Sequence, residues 1–160
     1  MSSDVHKRSF FCREEISMFT LKSEIQFDMA HYLSGYEGKC NNIHGHRYRL
    51  VVKVSSETLH EEGQLRGMVT DFSNVKAVLK EIHDLFDHKL VIEDNEEGRR
   101  VVNKLNESGK LFDIFMVPYR PTAEEMSRHI YHEIKKRGVP VTEVELYETP
   151  TNSCTYREAM

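Results

Sequence analysis

Two stretches of the chain alternate apolar and polar residues with the period of a β-strand. In the first, Ile16 to Tyr32, the residues Ile25, Phe27, Met29 and His31 share one parity against Glu24, Gln26 and Asp28, the pattern of a half-buried strand. In the second, His44 to about Ser56, one face takes His44, His46, Tyr48, Leu50, Val52 and Val54, and the other takes Arg47, Arg49 and Lys53. Gly35 and Gly38 break the alternation between them, predicting a loop. The period then changes. Phe72, Val75, Val78, Leu79, Ile82, Leu85 and Phe86 recur at helical spacing, with Asp71 or Ser73 able to cap the helix start. A second helix opens at "PTAEEM", where Thr122 and Glu125 form a capping box behind Pro121. It continues along Met126, Ile130 and Ile134 and stops at Gly138 and Pro140. "VTEVELYET" alternates again, with Val144, Leu146 and Glu148 on one parity, and a short strand near "SCTYRE" follows. Lys89 to Arg120 is charged and loosely patterned, with only "LFDIFMV" reading as a strand. The predicted order is β-β-α-α-β-β: an α+β fold of antiparallel hairpins with both helices on one face.

A length of 160 residues fits a single domain, 1–160, with a real core. The formal charge of −4 carries no basic block, which leaves a nucleic-acid role without electrostatic support. No apolar run approaches a membrane span. The opening "MSSDVHKRSFFCREEISMF" mixes charges through its apolar residues, unlike a signal peptide, so a cytoplasmic protein is expected. Three cysteines, Cys12, Cys40 and Cys154, contain no CxxC pair. A disulfide framework and a thiolate-rich structural zinc site are both disfavoured.

The chemistry concentrates in "HYLSGYEGKCNNIHGHRYRL", His31 to Leu50. His44 and His46 are two apart on a strand, hence on one face and roughly 7 Å apart at Cα. His31 ends the covered face of the preceding strand, which can pair antiparallel and bring it opposite. An HxH pair alone is a common accident, but three imidazoles on covered faces need a partner. Neutral imidazole suits Zn2+, and three protein ligands leave a position open for water or substrate. Cys40 stands four residues before His44. Near a metal it would be a thiolate base or nucleophile; as a fourth ligand it would close the site and make it structural. Glu148 continues an apolar parity and is either an inward carboxylate suited to an amidine-like edge or a solvated strand end. Asp87-His88 is either an oriented proton-transfer pair or a helix C-terminal histidine beside the dipole. Cys12 and Cys154 have no such neighbours.

In this order, "FDMAHYL", "CNNIHGHRY", "GMVTDFSNVK", "FDHKL", "PTAEEM" and "YETPTNS" resemble the motifs of the 6-pyruvoyltetrahydropterin synthase superfamily, from about Phe27 to Tyr156. The resemblance implies the tunnelling fold: a four-stranded antiparallel sheet with two helices, assembling as an oligomeric barrel. By resemblance the homo-oligomer is a hexamer of two stacked trimers with active sites at subunit contacts. It implies zinc ligands at His31, His44 and His46, a catalytic cysteine at Cys40, an acid-base pair at Asp87 and His88, and a pterin anchor at Glu148. The CxxxH spacing of Cys40 and His44 is similar to that of the bacterial 6-carboxytetrahydropterin synthase branch of the queuosine pathway. That branch implies a zinc-dependent lyase taking 7,8-dihydroneopterin triphosphate to 6-carboxy-5,6,7,8-tetrahydropterin, acetaldehyde and triphosphate. The alternatives are a pyruvoyl-type synthase that keeps the side-chain carbons, and a non-catalytic zinc-binding protein with Cys40 as fourth ligand. Lys39, Arg47 and Arg49 are the nearby cations available for triphosphate.

Overall fold

In the computed structural model, which describes residues 17–159, two long strands form the spine. Strands β1 (Phe19–His31) and β2 (His44–Ser56) pair antiparallel along their whole length, with Phe19 opposite Ser56 and His31 opposite His44. The expected start of the first strand at Ile16, and Cys12, lie outside the described residues. The parity read from sequence sets the packing. Phe27, Met29, Tyr48, Leu50, Val52 and Val54 are all buried, and the polar alternates Lys22, Glu24, Arg47 and Arg49 form ion pairs on the reverse face.

The buried face is covered by α1 (Phe72–Phe86) and α3 (Ala123–Lys136). Asp71 caps α1 by accepting the Ser73 N–H at 2.7 Å, and the helix buries Val75, Val78, Leu79, Ile82 and Phe86. Thr122 caps α3 by accepting the Glu125 N–H at 3.3 Å. Only half of the expected capping box forms, because the Glu125 carboxylate pairs with Arg128 instead. Met126, Ile130 and Ile134 reach the core from α3, and Gly138 ends the segment at φ +84°, a conformation that favours glycine. Strands β5 (Glu143–Thr149) and β6 (Asn152–Tyr156) complete this side, β5 antiparallel to β2 and β6 antiparallel to β5.

The expected four-stranded antiparallel sheet with two helices is incomplete. The sheet has six strands in the order β4-β3-β1-β2-β5-β6 and is mixed. The loosely patterned segment between α1 and α3 supplies β3 (Leu90–Glu93), α2 (Glu96–Glu107) and β4 (Ile114–Val117). β3 runs parallel to β1 and β4 parallel to β3. Parallel neighbours need a crossover connection, which α2 provides. Val91 joins the main core, while Ile92, of opposite parity, is equally buried. A Cβ built at Gly98 of α2 would stand 2.9 Å from Ile92 Cγ2, so α2 covers the reverse face of β3. The three helices therefore do not share one face. β3 meets β1 only at Ala30 and His31, which leaves the outer edge of β1 before them without a neighbouring strand among the described residues.

Candidate active site

The β1–β2 register brings the three histidines together. His31 ends β1, its Cα partner His44 begins β2, and His46 lies two residues further on the same face. Their ring centroids are 4.6 Å apart for His31–His44, 5.6 Å for His31–His46 and 5.1 Å for His44–His46. One candidate ligand atom from each lies within 4.8 Å of the other two. His31 is 1% exposed, and its Nδ1 is 2.8 Å from the Pro121 carbonyl oxygen. His44 Nδ1 is 2.7 Å from the Asn42 carbonyl oxygen. A carbonyl oxygen only accepts, so both Nδ1 atoms carry the proton and both Nε2 atoms face inward. This donor set, two rings oriented by backbone carbonyls and a third beside them, fits a metal ion.

Glu148 stands over this group. Its Oε1 is 3.3 Å from His31 Nε2 and 3.7 Å from His46 Nε2, and it accepts a hydrogen bond from the Tyr48 hydroxyl at 3.3 Å. The hydrogen bond with His31, with smaller contributions from His46 and Tyr48, holds the Glu148 carboxyl below the usual carboxylate range despite its burial. Burial pushes His46 down and the Tyr48 phenol far up, so Tyr48 is a neutral donor at ordinary pH. Tyr48 was legible as part of the histidine parity but had no assigned role; its position between His31 and Glu148 depends on β5 lying against β2.

Cys40 sits in a single 3-10 turn, Lys39–Asn41, at intermediate exposure. Its sulfur is not one of the clustered ligand atoms. It lines a cleft of about 330 Å³ together with His31, Tyr36, Thr122, Glu148 and Cys154. Cys154, on β6, accepts from the Ser127 hydroxyl at 3.5 Å.

Asp87 and His88 follow α1. The Asp87 carboxylate accepts the Asp28 N–H at 3.0 Å through one oxygen and His88 Nδ1–H at 2.7 Å through the other. The backbone bond, then His88, lowers the Asp87 carboxyl below its ordinary range. His88 adopts φ +58°, rare for a residue with a side chain, and its N–H donates to Asp28 O at 2.6 Å. Its ring is 78% exposed and borders a different cleft, of about 410 Å³, with Asp28, Gly45, His46, Arg47 and Lys89. Cys40 and His88 thus open on different sides of the histidine cluster. Arg47 is engaged by both oxygens of Asp28, at 2.9 and 2.7 Å, and Arg49 stacks 3.8 Å over the Tyr147 ring. Among the described residues, no helix is long and apolar enough to cross a membrane.

An α+β sheet thus carries a three-histidine cluster able to hold a metal ion, beside a cleft lined by a thiol and a carboxylate. The sequence model of a family described as 6-pyruvoyl tetrahydropterin synthase matches residues 20–159. A 6-carboxy-5,6,7,8-tetrahydropterin synthase of Haemophilus influenzae is 39% identical, over 88% of this chain and 100% of its own length. One from Aquifex aeolicus is 37% identical over 75% of this chain and 76% of its own. Among solved structures, an uncharacterized protein from Wolinella succinogenes superposes with a TM-score of 0.70 at 20% identity, covering 89% of this chain and 99% of that one. A Plasmodium vivax 6-pyruvoyltetrahydropterin synthase gives 0.65 at 18% identity, covering 90% and 99%. The two solved structures share the fold. The chain belongs to the 6-pyruvoyl tetrahydropterin synthase family.

Proposed function

We propose that the chain is a zinc-dependent lyase converting 7,8-dihydroneopterin triphosphate and one water to 6-carboxy-5,6,7,8-tetrahydropterin, acetaldehyde and triphosphate. The observation that carries this reading is the cleft in which His31, Cys40 and Glu148 meet. The relatives of 39% and 37% identity, both 6-carboxy-5,6,7,8-tetrahydropterin synthases, support the carboxy product, as does the CxxxH spacing of Cys40 and His44.

His31, His44 and His46 would hold the zinc. A zinc ion bound by these residues would supply Lewis-acid chemistry beside the Cys40 thiol. Cys40, outside the ligand group, takes the side-chain proton as thiolate. Glu148, ionised and steadied by Tyr48, accepts two hydrogen bonds from the aminopyrimidine edge of the pterin. Asp87 holds His88 Nδ1–H, which leaves His88 Nε2 as the nitrogen that exchanges a proton with substrate.

Cys40 and His88 line different clefts of one chain, so we place the complete site at a contact between subunits. The open outer edge of β1 and the edge strand β6 suit closure of sheets into a ring by strand pairing. A hexamer of two stacked trimers, a cytoplasmic location and use of the product in queuosine synthesis belong to this same reading.

The test is Cys40→Ala. Zinc content and pterin binding are expected to persist while turnover falls by about two to four orders of magnitude, the reach of a positioned acid-base group. Exchange of the side-chain carbon-bound hydrogen with solvent deuterium should slow in parallel. Loss of zinc from the variant would instead make Cys40 a structural ligand and end the lyase mechanism.

A further inference from the structure

The unit β3–α2–β4 has no part in the chemistry above, yet it grips the loop that carries Cys40. Ser34 is 5% exposed. Its hydroxyl donates to Glu93 Oε2 at 2.5 Å and accepts from Asn95 Nδ2 at 2.9 Å, so both of its roles are filled. The two partners flank the turn from β3 into α2. Asn95 Oδ1 accepts the Gly98 N–H at 2.7 Å, and one side chain thereby caps α2 and holds Ser34. A close backbone approach sets this turn: a Cβ at Gly98 would stand 2.0 Å from Glu93 O, a separation only glycine permits.

On the other side, Ser34 adjoins the neck of the cysteine loop. The Leu33 N–H donates to Cys40 O at 2.8 Å, and the Tyr36 N–H donates to Leu33 O at 3.2 Å. Residues 35–39 are exposed. The backbone position of Cys40 is therefore referred to Leu33, and Leu33 is fixed by its neighbour Ser34 against the inserted unit.

We propose that Ser34, Glu93 and Asn95 are positioning residues that hold Cys40 at the metal centre, making β3–α2–β4 a brace for the reacting thiol. The proposal rests on the reading of Cys40 as the base. A base misplaced by about an ångström costs up to about a hundredfold in rate. The inserted unit would therefore act on turnover without touching substrate.

Two variants separate bracing from folding. Ser34→Ala removes both hydrogen bonds. Asn95→Asp keeps a side-chain oxygen to cap α2 but has no N–H to give Ser34. The zinc-loaded proteins are treated with iodoacetamide across a pH series, and modification of the residue-40 peptide is quantified by mass spectrometry. In both variants the alkylation rate of Cys40 is expected to change at least threefold, and kcat to fall about ten- to a hundredfold with KM within about twofold. Zinc content should be unchanged, and Ser34→Thr, which keeps the hydroxyl, should restore both readouts. Alkylation profiles that match the unaltered protein in both variants would overturn the proposal, even if the melting temperature drops. That result leaves the reading of Cys40 as base intact, since alkylation reports the thiol's surroundings and not turnover. The base reading fails separately, if Cys40→Ala retains turnover.

Discussion

Replacing Tyr48 by Phe deletes one hydroxyl from a ring that is fully buried and stacked on Phe27 at 5.5 Å. Packing survives and only the polar link is lost. The hydroxyl lies 3.3 Å from His31 Nε2 and donates to Glu148 Oε1 at 3.3 Å. A hydrogen bond to a charged acceptor contributes about 1.5–3 kcal/mol, and this one is long for O–H···O, so about 1–1.5 kcal/mol is expected here. A carboxylate freed from that contact must be reordered when the pterin binds. The expected effect is a dissociation constant for biopterin raised about five- to twelvefold. Titration calorimetry on the zinc-loaded protein reads it directly. Zinc should stay near one per chain, because the phenol is not a ligand. Biopterin affinity within twofold of the unaltered protein, at equal zinc content, would refute the reasoning and detach Tyr48 from the work of Glu148.

Mixing Cys40→Ala chains with His88→Ala chains tests the shared site. Each variant alone should be nearly inactive, while mixed rings should regain turnover, at up to about a quarter of sites for random assembly; mixed rings without turnover would return the site to one chain. Glu133 offers a pH test away from the site. Its bond to Arg137 holds its carboxyl below the usual 4.5, so the folded state binds that proton less tightly than the unfolded state does. The stability it adds is present above about pH 4.5 and fades as pH falls through the lowered value. Glu133→Gln should therefore cost up to about 1 kcal/mol in urea unfolding at neutral pH and less at an acidic pH well below 4.5. An equal loss at both pH values would contradict this.

The histidine cluster was legible because a strand has a period of two and an antiparallel hairpin has a register. Parity alone put His44, His46 and Tyr48 on one face, and pairing across β1 and β2 set His31 opposite His44. Glu148 was visible for the same reason, as a carboxylate continuing the parity of Val144 and Leu146. Of the unit between α1 and α3, only β4 was legible, within "LFDIFMV". β3 is four residues long and buried on both faces at Val91 and Ile92, so no alternation marks it. α2 fully buries only Gly98, leaving Val101, Val102 and Leu105 as a faint stripe. The Pro121 carbonyl that orients His31 comes from 90 residues away, and a backbone carbonyl has no signature in sequence. That Cys40 and His88 line different clefts likewise depends on how the segments carrying them lie.

The most direct test of the lyase reading is to incubate the purified, zinc-loaded protein with 7,8-dihydroneopterin triphosphate and to measure acetaldehyde and triphosphate together. A carbon-carbon lyase should release the two in equal amounts, with the pterin product retaining a carboxylate at its 6-position. Triphosphate released without acetaldehyde, leaving a pyruvoyl side chain on the ring, would contradict it.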